Sequence, residues 1–128
     1  MTDDSRGMAV RREVLGDEYV DRAIERRDEF TAPFQQFITD YAWGEVWARP
    51  GLDRRTRSCI TVALLAALRA HDELAIHLRG ALRNGVTRDE LREVLLQTAI
   101  YAGVPAANSA FAVAQPILAE AAGDAAAP

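Results

Sequence analysis

Residues 54–69 contain the run CITVALLAAL, which is apolar almost all the way round a helical wheel. A helix of that kind needs partners on several faces. It is either the centre of a helical core or part of an interface between copies of the chain, and the two are compatible. From Cys59 to Leu68 the run has about half the length needed to span a bilayer. Its partners are therefore expected to be protein, not lipid.

The rest of the sequence supplies such partners. No stretch alternates apolar and polar residues as a half-buried strand would, and helical signals recur instead. AVRREVLGDEYV reads as a short helical turn broken at Gly16, with Asp17 capping a helix over about 18–30. Thr31 and Pro33 suit a cap and an early helical position for a helix reaching about Trp43. On that helix Phe34, Phe37, Ile38 and Tyr41 form an amphipathic stripe. Pro50-Gly51 marks a turn, and Asp53 caps the apolar helix. A helix over 72–84 is closed by Asn84-Gly85. Thr87 and Glu90 form a capping box for the next, which ends at Gly103. A last helix, rich in small residues, is expected to bend near Pro116. The expected fold is all-α, a bundle of about six or seven helices. One domain is expected over 1–128, with loose segments at 1–7 and 123–128.

Charge narrows the function. Fifteen basic residues, all arginine, face nineteen acidic ones, for a net charge of -4. That balance argues against nucleic acid or a membrane surface as partner. Without lysine, Schiff-base chemistry through a lysine amine is excluded. One cysteine, Cys59, allows neither an internal disulfide nor a CxxC pair. The N-terminal MTDDSRGMAV has no apolar core of a secretory signal, so a cytoplasmic location is expected.

Few residues can carry chemistry. The two histidines, His71 and His77, lie roughly 240° apart around a helix and cannot share a metal ion. No HExxH motif or carboxylate cluster supplies ligands, so no metal is expected. His77 is the general acid-base candidate, since imidazole titrates near neutrality. Glu73 lies one turn earlier on the same face, where it could orient the ring and stabilise its cation. The same spacing also suits a plain surface pair contributing about 0.2–0.5 kcal/mol. RPGLDRRTR brings Arg49, Arg54, Arg55 and Arg57 to one helix start, where cations oppose the helix dipole. They form either an anion site with the free N–H groups or solvated and intersubunit charge pairs. Trp43 and Trp47 lie one turn apart beside them, as core or as pocket wall. Tyr101 and Asn108 flank Gly103-Val104-Pro105 and offer hydrogen bonds.

Two segments, DYAWGEVWARPGLDRRTRS and ELAIHLRGALRNGVTRDELREVLLQTAIYAGVPAANSAF, resemble the γ-carboxymuconolactone decarboxylase family. The resemblance extends from about Val10 to Ile117. It implies the all-helical fold shared with alkyl hydroperoxidase D-type proteins, usually assembled as trimers or hexamers. It also implies cofactor-independent decarboxylation of a small dicarboxylate lactone in the protocatechuate branch of the β-ketoadipate pathway. The peroxidase relatives carry Cys-x-x-Cys-x-x-x-His on the matching helix. Here Ala70 and Glu73 stand at the cysteine positions, and His77 keeps the histidine. Ser58 matches an acidic residue of those relatives.

The resemblance thus favours His77 as catalytic, with Glu73 as its orienting partner. Arg57, Arg49, Trp47, Tyr101 and Asn108 remain substrate-binding candidates on their chemistry alone. Three alternatives stay open. The chain could process a related lactone or keto acid, act as a thiol peroxidase, or serve as a non-catalytic helical assembly protein.

Overall fold

A computed structural model describes residues 5–126. Seven α-helices and one π-helix follow one another, with no strand among the described residues. They are α1 (Arg6–Leu15), α2 (Asp17–Glu25), α3 (Ala32–Ile38), the π-helix (Thr39–Trp47), α4 (Arg54–Leu68), α5 (His71–Arg83), α6 (Arg88–Ala102) and α7 (Val104–Ala126). No helix of the described residues is long and apolar enough to cross a membrane. The helices gather into two compact units, one ending at Arg54 and one starting at Arg55.

In the first unit, α1 packs along the π-helix. Ser5 caps α1 by accepting a hydrogen bond from the Met8 amide at 3.2 Å. Gly7 is buried within α1, and residues 1–4 of the segment expected to be loose lie outside the described residues. Met8, Val10, Val14, Leu15, Val20 and Trp43 are buried here.

Two expectations for this unit are corrected. Helix α2 stops at Glu25, not near residue 30. The Asp28 carboxylate accepts from the amides of Phe30 and Thr31, both at 3.0 Å. An aspartate that takes local N–H groups in this way favours a turn over helix. Thr31 occupies the cap position of α3 without a side-chain capping bond. The stripe Phe34, Phe37, Ile38, Tyr41 was expected to pack, yet Phe34, Phe37 and Tyr41 are exposed and Ile38 is half-buried. For Tyr41 the reason is the change of winding at Thr39: bonds from i to i+5 widen the turn, so a stripe drawn at 3.6 residues per turn leaves the packed face there. Phe34 and Phe37 lie on α3 itself, which buries no residue. Thr39, Trp43 and Gly44 are buried instead.

The second unit holds the larger core. Val62 and Ala66 of α4, Leu74, Leu78 and Ala81 of α5, and Leu91 and Leu95 of α6 meet Ala110, Ala114 and Ile117 of α7. The buried alanines of α7 bring its backbone close to α5 and α6. Pro116 sits inside α7, and its missing N–H leaves the Ala112 carbonyl to solvent at an exposed position. The helix continues to Ala126, and residues 127–128 of the segment expected to be loose lie outside the described residues.

Helix α4 divides its apolar surface. Val62 and Ala66 are fully buried, whereas Ile60, Leu64 and Leu68 are 44%, 56% and 75% exposed. Those exposures show that only one side of the run is satisfied within the chain.

Candidate active site

Helix α5 carries the Glu73–His77 pair. Its packing stripe is Leu74, Leu78 and Ala81, all fully buried. His77 falls three residues after Leu74 and one before Leu78, at the margin of that stripe, and is half-buried. Burial pushes its pKa from 6.5 down to about 4, against a weaker upward pull from the Glu73 charge. The ring is therefore neutral at pH 7, with one nitrogen a donor and the other an acceptor. This corrects the expectation of an imidazolium stabilised by Glu73. Glu73 is exposed, and water screens its charge too well to offset the desolvation of the ring.

The end of α5 is fixed from two sides. Asn84, its C-cap, donates to the Ser58 hydroxyl at 3.0 Å. Ser58 is 1% exposed, so this bond ties the C-terminus of α5 to α4 away from water. Gly85 follows with φ +90°, a backbone conformation that glycine adopts without penalty. Its carbonyl accepts from Arg55 Nε at 3.3 Å. Arg55 also binds the carboxylate of Glu90, the acidic member of the capping box. Arg55, and then Thr87, hold the Glu90 pKa down to about 2.

The link between Ser58 and Asn84 was missed in the sequence. Asn84-Gly85 signalled a helix end, and nothing marked its side chain as a tether. Arg55 was misread for a related reason: its partners lie 30 and 35 residues away in the chain.

The expected four-arginine anion site is accordingly reduced. Arg54 pairs with Glu13, and Arg55 with Glu90. Arg57 is half-buried on α4, and Arg49 is exposed after the π-helix. Trp47 stacks on buried Trp43, with ring centroids 5.1 Å apart and planes inclined by 28°. In the second unit, Tyr101 is 83% exposed at the end of α6, and Asn108 is exposed on α7. Tyr101 borders a largely apolar groove of about 620 Å³ along α4 and α6, with Cys59, Leu64, Val94, Gln97 and Thr98. His77, Glu73, Arg57 and Asn108 do not line it. The pair on α5 and Tyr101 in the groove are thus separate features of one unit. Among the described residues no group of three or more His, Cys, Asp or Glu could hold a metal ion.

The carboxymuconolactone decarboxylase family pattern matches residues 32–116, about two thirds of the chain. The chain belongs to the carboxymuconolactone decarboxylase family. Membership accounts for the all-α fold. The chain is 50% identical over 120 residues to 4-carboxymuconolactone decarboxylase of Acinetobacter baylyi, covering 91% of this chain and 90% of that protein. It is 49% identical over 109 residues to nitrosuccinic acid decarboxylase npaB of Metarhizium robertsii, covering 85% of this chain and 76% of that protein. A 4-carboxymuconolactone decarboxylase sequence from Pseudomonas putida is 51% identical over 39 residues, covering 30% of this chain and 81% of that one.

Proposed function

We propose that the chain decarboxylates γ-carboxymuconolactone to β-ketoadipate enol-lactone, without a cofactor, in protocatechuate breakdown. The carrying observation is the 50% identity to the Acinetobacter baylyi enzyme over nine tenths of both chains. The substrate explains how such a reaction proceeds unaided. Loss of CO2 from the γ-carbon leaves an electron pair conjugated through the ring alkene to the lactone carbonyl. The intermediate is an oxyfuran-like dienolate, which takes a proton at its α-carbon.

The protein then has three tasks. It anchors the acetate arm, for which a guanidinium such as Arg57 or Arg49 is suited as a bidentate partner. It shields the departing carboxylate from water, a role that fits Trp47. It meets the developing oxyanion with a donor, an interaction worth on the order of 3–4 kcal/mol. A neutral, half-buried imidazole supports giving His77 that last role, with its N–H aimed at the lactone oxygen. Glu73 then orients the ring, and the α-carbon proton comes from solvent.

The fungal relative favours a second reading. Nitrosuccinic acid also bears a carboxylate beside a group, its nitro function, that can absorb the released electrons. One assay separates the two. Authentic γ-carboxymuconolactone and 2-nitrosuccinate are offered in parallel, following ultraviolet absorbance and CO2 release. Turnover of the lactone with at least tenfold greater kcat/KM supports the first reading. Preference for the nitro acid overturns it.

Self-association into a trimer or hexamer in the cytoplasm completes the reading. It is supported by Leu64 and Leu68 of α4 and Leu96, Ile100 and Tyr101 of α6, all exposed. Light scattering on eluted protein measures the subunit number, and a monomer at micromolar concentration overturns it.

A further inference from the structure

The first unit contains an arrangement that neither the reaction nor the core requires. Helix α1 grips the π-helix at three points. Arg6 donates to the Gly44 carbonyl. Gly7 lies so close that a Cβ there would overlap the Thr39 carbonyl oxygen and stand 3.1 Å from the Gly44 amide. Those two groups, five residues apart, are the pair that an i to i+5 winding joins. Arg11, 4% exposed, donates to Thr39 Oγ1 at 3.5 Å and to Gln35 Oε1 at 3.1 Å. Thr39 Oγ1 in turn donates to the Gln35 carbonyl at 2.8 Å. Gln35 and Thr39 are the last turn of α3 and the first residue of the π-helix.

Burying a guanidinium against a hydroxyl and an amide oxygen, with no carboxylate partner among the described residues, is costly. Burial lowers the pKa of Arg11, which reflects the same cost. A folded chain keeps such a group where its hydrogen bonds fix a geometry. The geometry at stake here is the change from α to π winding. Everything after it on this segment, including the Trp43–Trp47 stack, inherits its rotation from that step.

We propose that Arg11, with Arg6 and Gly7, is a positioning residue that locks the π-helical register of Thr39–Trp47 and so sets the orientation of Trp47 for substrate binding. The catalytic half rests on the lactone decarboxylation proposed above. The structural half stands without it.

The two tryptophans are the only ones in the chain, so the circular dichroism couplet of two stacked indoles belongs to this pair alone. Trp47→Phe, which must abolish the couplet, identifies it. The test compares Arg11→Met, Thr39→Val and Thr39→Ser in the full chain. Arg11→Met and Thr39→Val are expected to lose at least half of the couplet while helical signal is kept. They should also raise KM for γ-carboxymuconolactone about tenfold at nearly constant kcat, the mark of weakened substrate binding. Thr39→Ser, which keeps the hydroxyl, should restore both. If Arg11→Met does not fold, Thr39→Val decides. An unchanged couplet in folded Thr39→Val overturns the proposal, and so does a lost couplet with unchanged KM. If the wild-type protein turns over neither acid, the functional reading fails and the couplet alone decides the register lock.

Discussion

Helix α5 and the π-helix each carry residues proposed to meet the substrate, and they are built on opposite terms. Helix α5 obeys local rules. It has acidic residues in its first turn, a basic one in its last, a 3-4 apolar stripe and an Asn-Gly exit. Its site pair could be placed on one face from spacing alone. The π-helix obeys no local rule that the sequence displays. Its winding is held by contacts from residues 28 to 38 positions away: Arg11 to Thr39 and Arg6 to Gly44. The lesson is that a regular helix advertises its site, whereas an irregular one hides it in the helix that grips it.

The sharpest way to break this contrast is at the chemistry. His77→Ala is expected to lower kcat by roughly 10²–10³-fold, the loss usual for one oxyanion donor, with the thermal midpoint nearly retained. Near-normal turnover would move the reaction away from α5.

Gly7→Ala tests the other side. The added methyl group meets backbone rather than a flexible side chain, so overpacking should cost about 2–3 kcal/mol. Denaturant titration reads the loss directly. A cost under half a kilocalorie would mean that α1 does not hold the π-helix closely.

A pH series sharpens the first region further. With a folded pKa of about 4 against an ordinary 6.5, His77 binds its proton more readily in the unfolded chain. Stability should therefore fall as pH drops from about 6.5 to 4, by on the order of 3 kcal/mol at most. Above 6.5 both states are neutral at this residue, and it contributes no slope. His77→Gln should flatten that window. Glu90 acts at lower pH: its Arg55-bound carboxylate stabilises the fold above the ordinary carboxylate range, and that support fades as pH approaches 2.

Smaller effects test the local rules themselves. Thr87→Ala removes the hydroxyl that accepts the Glu90 amide at 3.1 Å, and should cost about 1 kcal/mol of thermal stability. Arg69, between α4 and α5, has φ +57°, a left-handed conformation costing a side-chain-bearing residue about 1–2 kcal/mol. Arg69→Gly should stabilise the fold by about 0.5–1 kcal/mol, since glycine's greater unfolded freedom offsets part of the relief. A destabilised variant would show that the Arg69 side chain contributes more than its strain.

These contrasts also mark what could be read from the chain. The helices from residue 54 onward followed from periodicity and caps because each signal lies within a few residues of its effect. Thr87 with Glu90 and Asn84 with Gly85 are examples. The stripe misled at Tyr41 because it assumes one winding throughout, and the winding changes at Thr39; at Phe34 and Phe37, on α3, it misled because an apolar period does not say whether anything covers it. For the site, Glu73 and His77 were visible as neighbours. The neutral state of His77 was not, since it depends on how deeply the ring sits beside Leu74 and Leu78. The arginines misled in the same way: their number was plain, but Glu13 and Glu90 had to be found by folding.

The tether between Ser58 and Asn84 bears on what this helix pair could be redesigned to do. Cysteines placed at positions 70 and 73 would not by themselves make a thiol catalyst on the pattern of the peroxidases. An acidic helper would also be needed at position 58, where the hydroxyl is sealed in and holds the neighbouring helix end. Ser58→Glu made first would trap an unmatched carboxylate in the interior and strip Asn84 of its acceptor. A thiol catalyst is thus separated from this chain by a stability valley that no single substitution crosses.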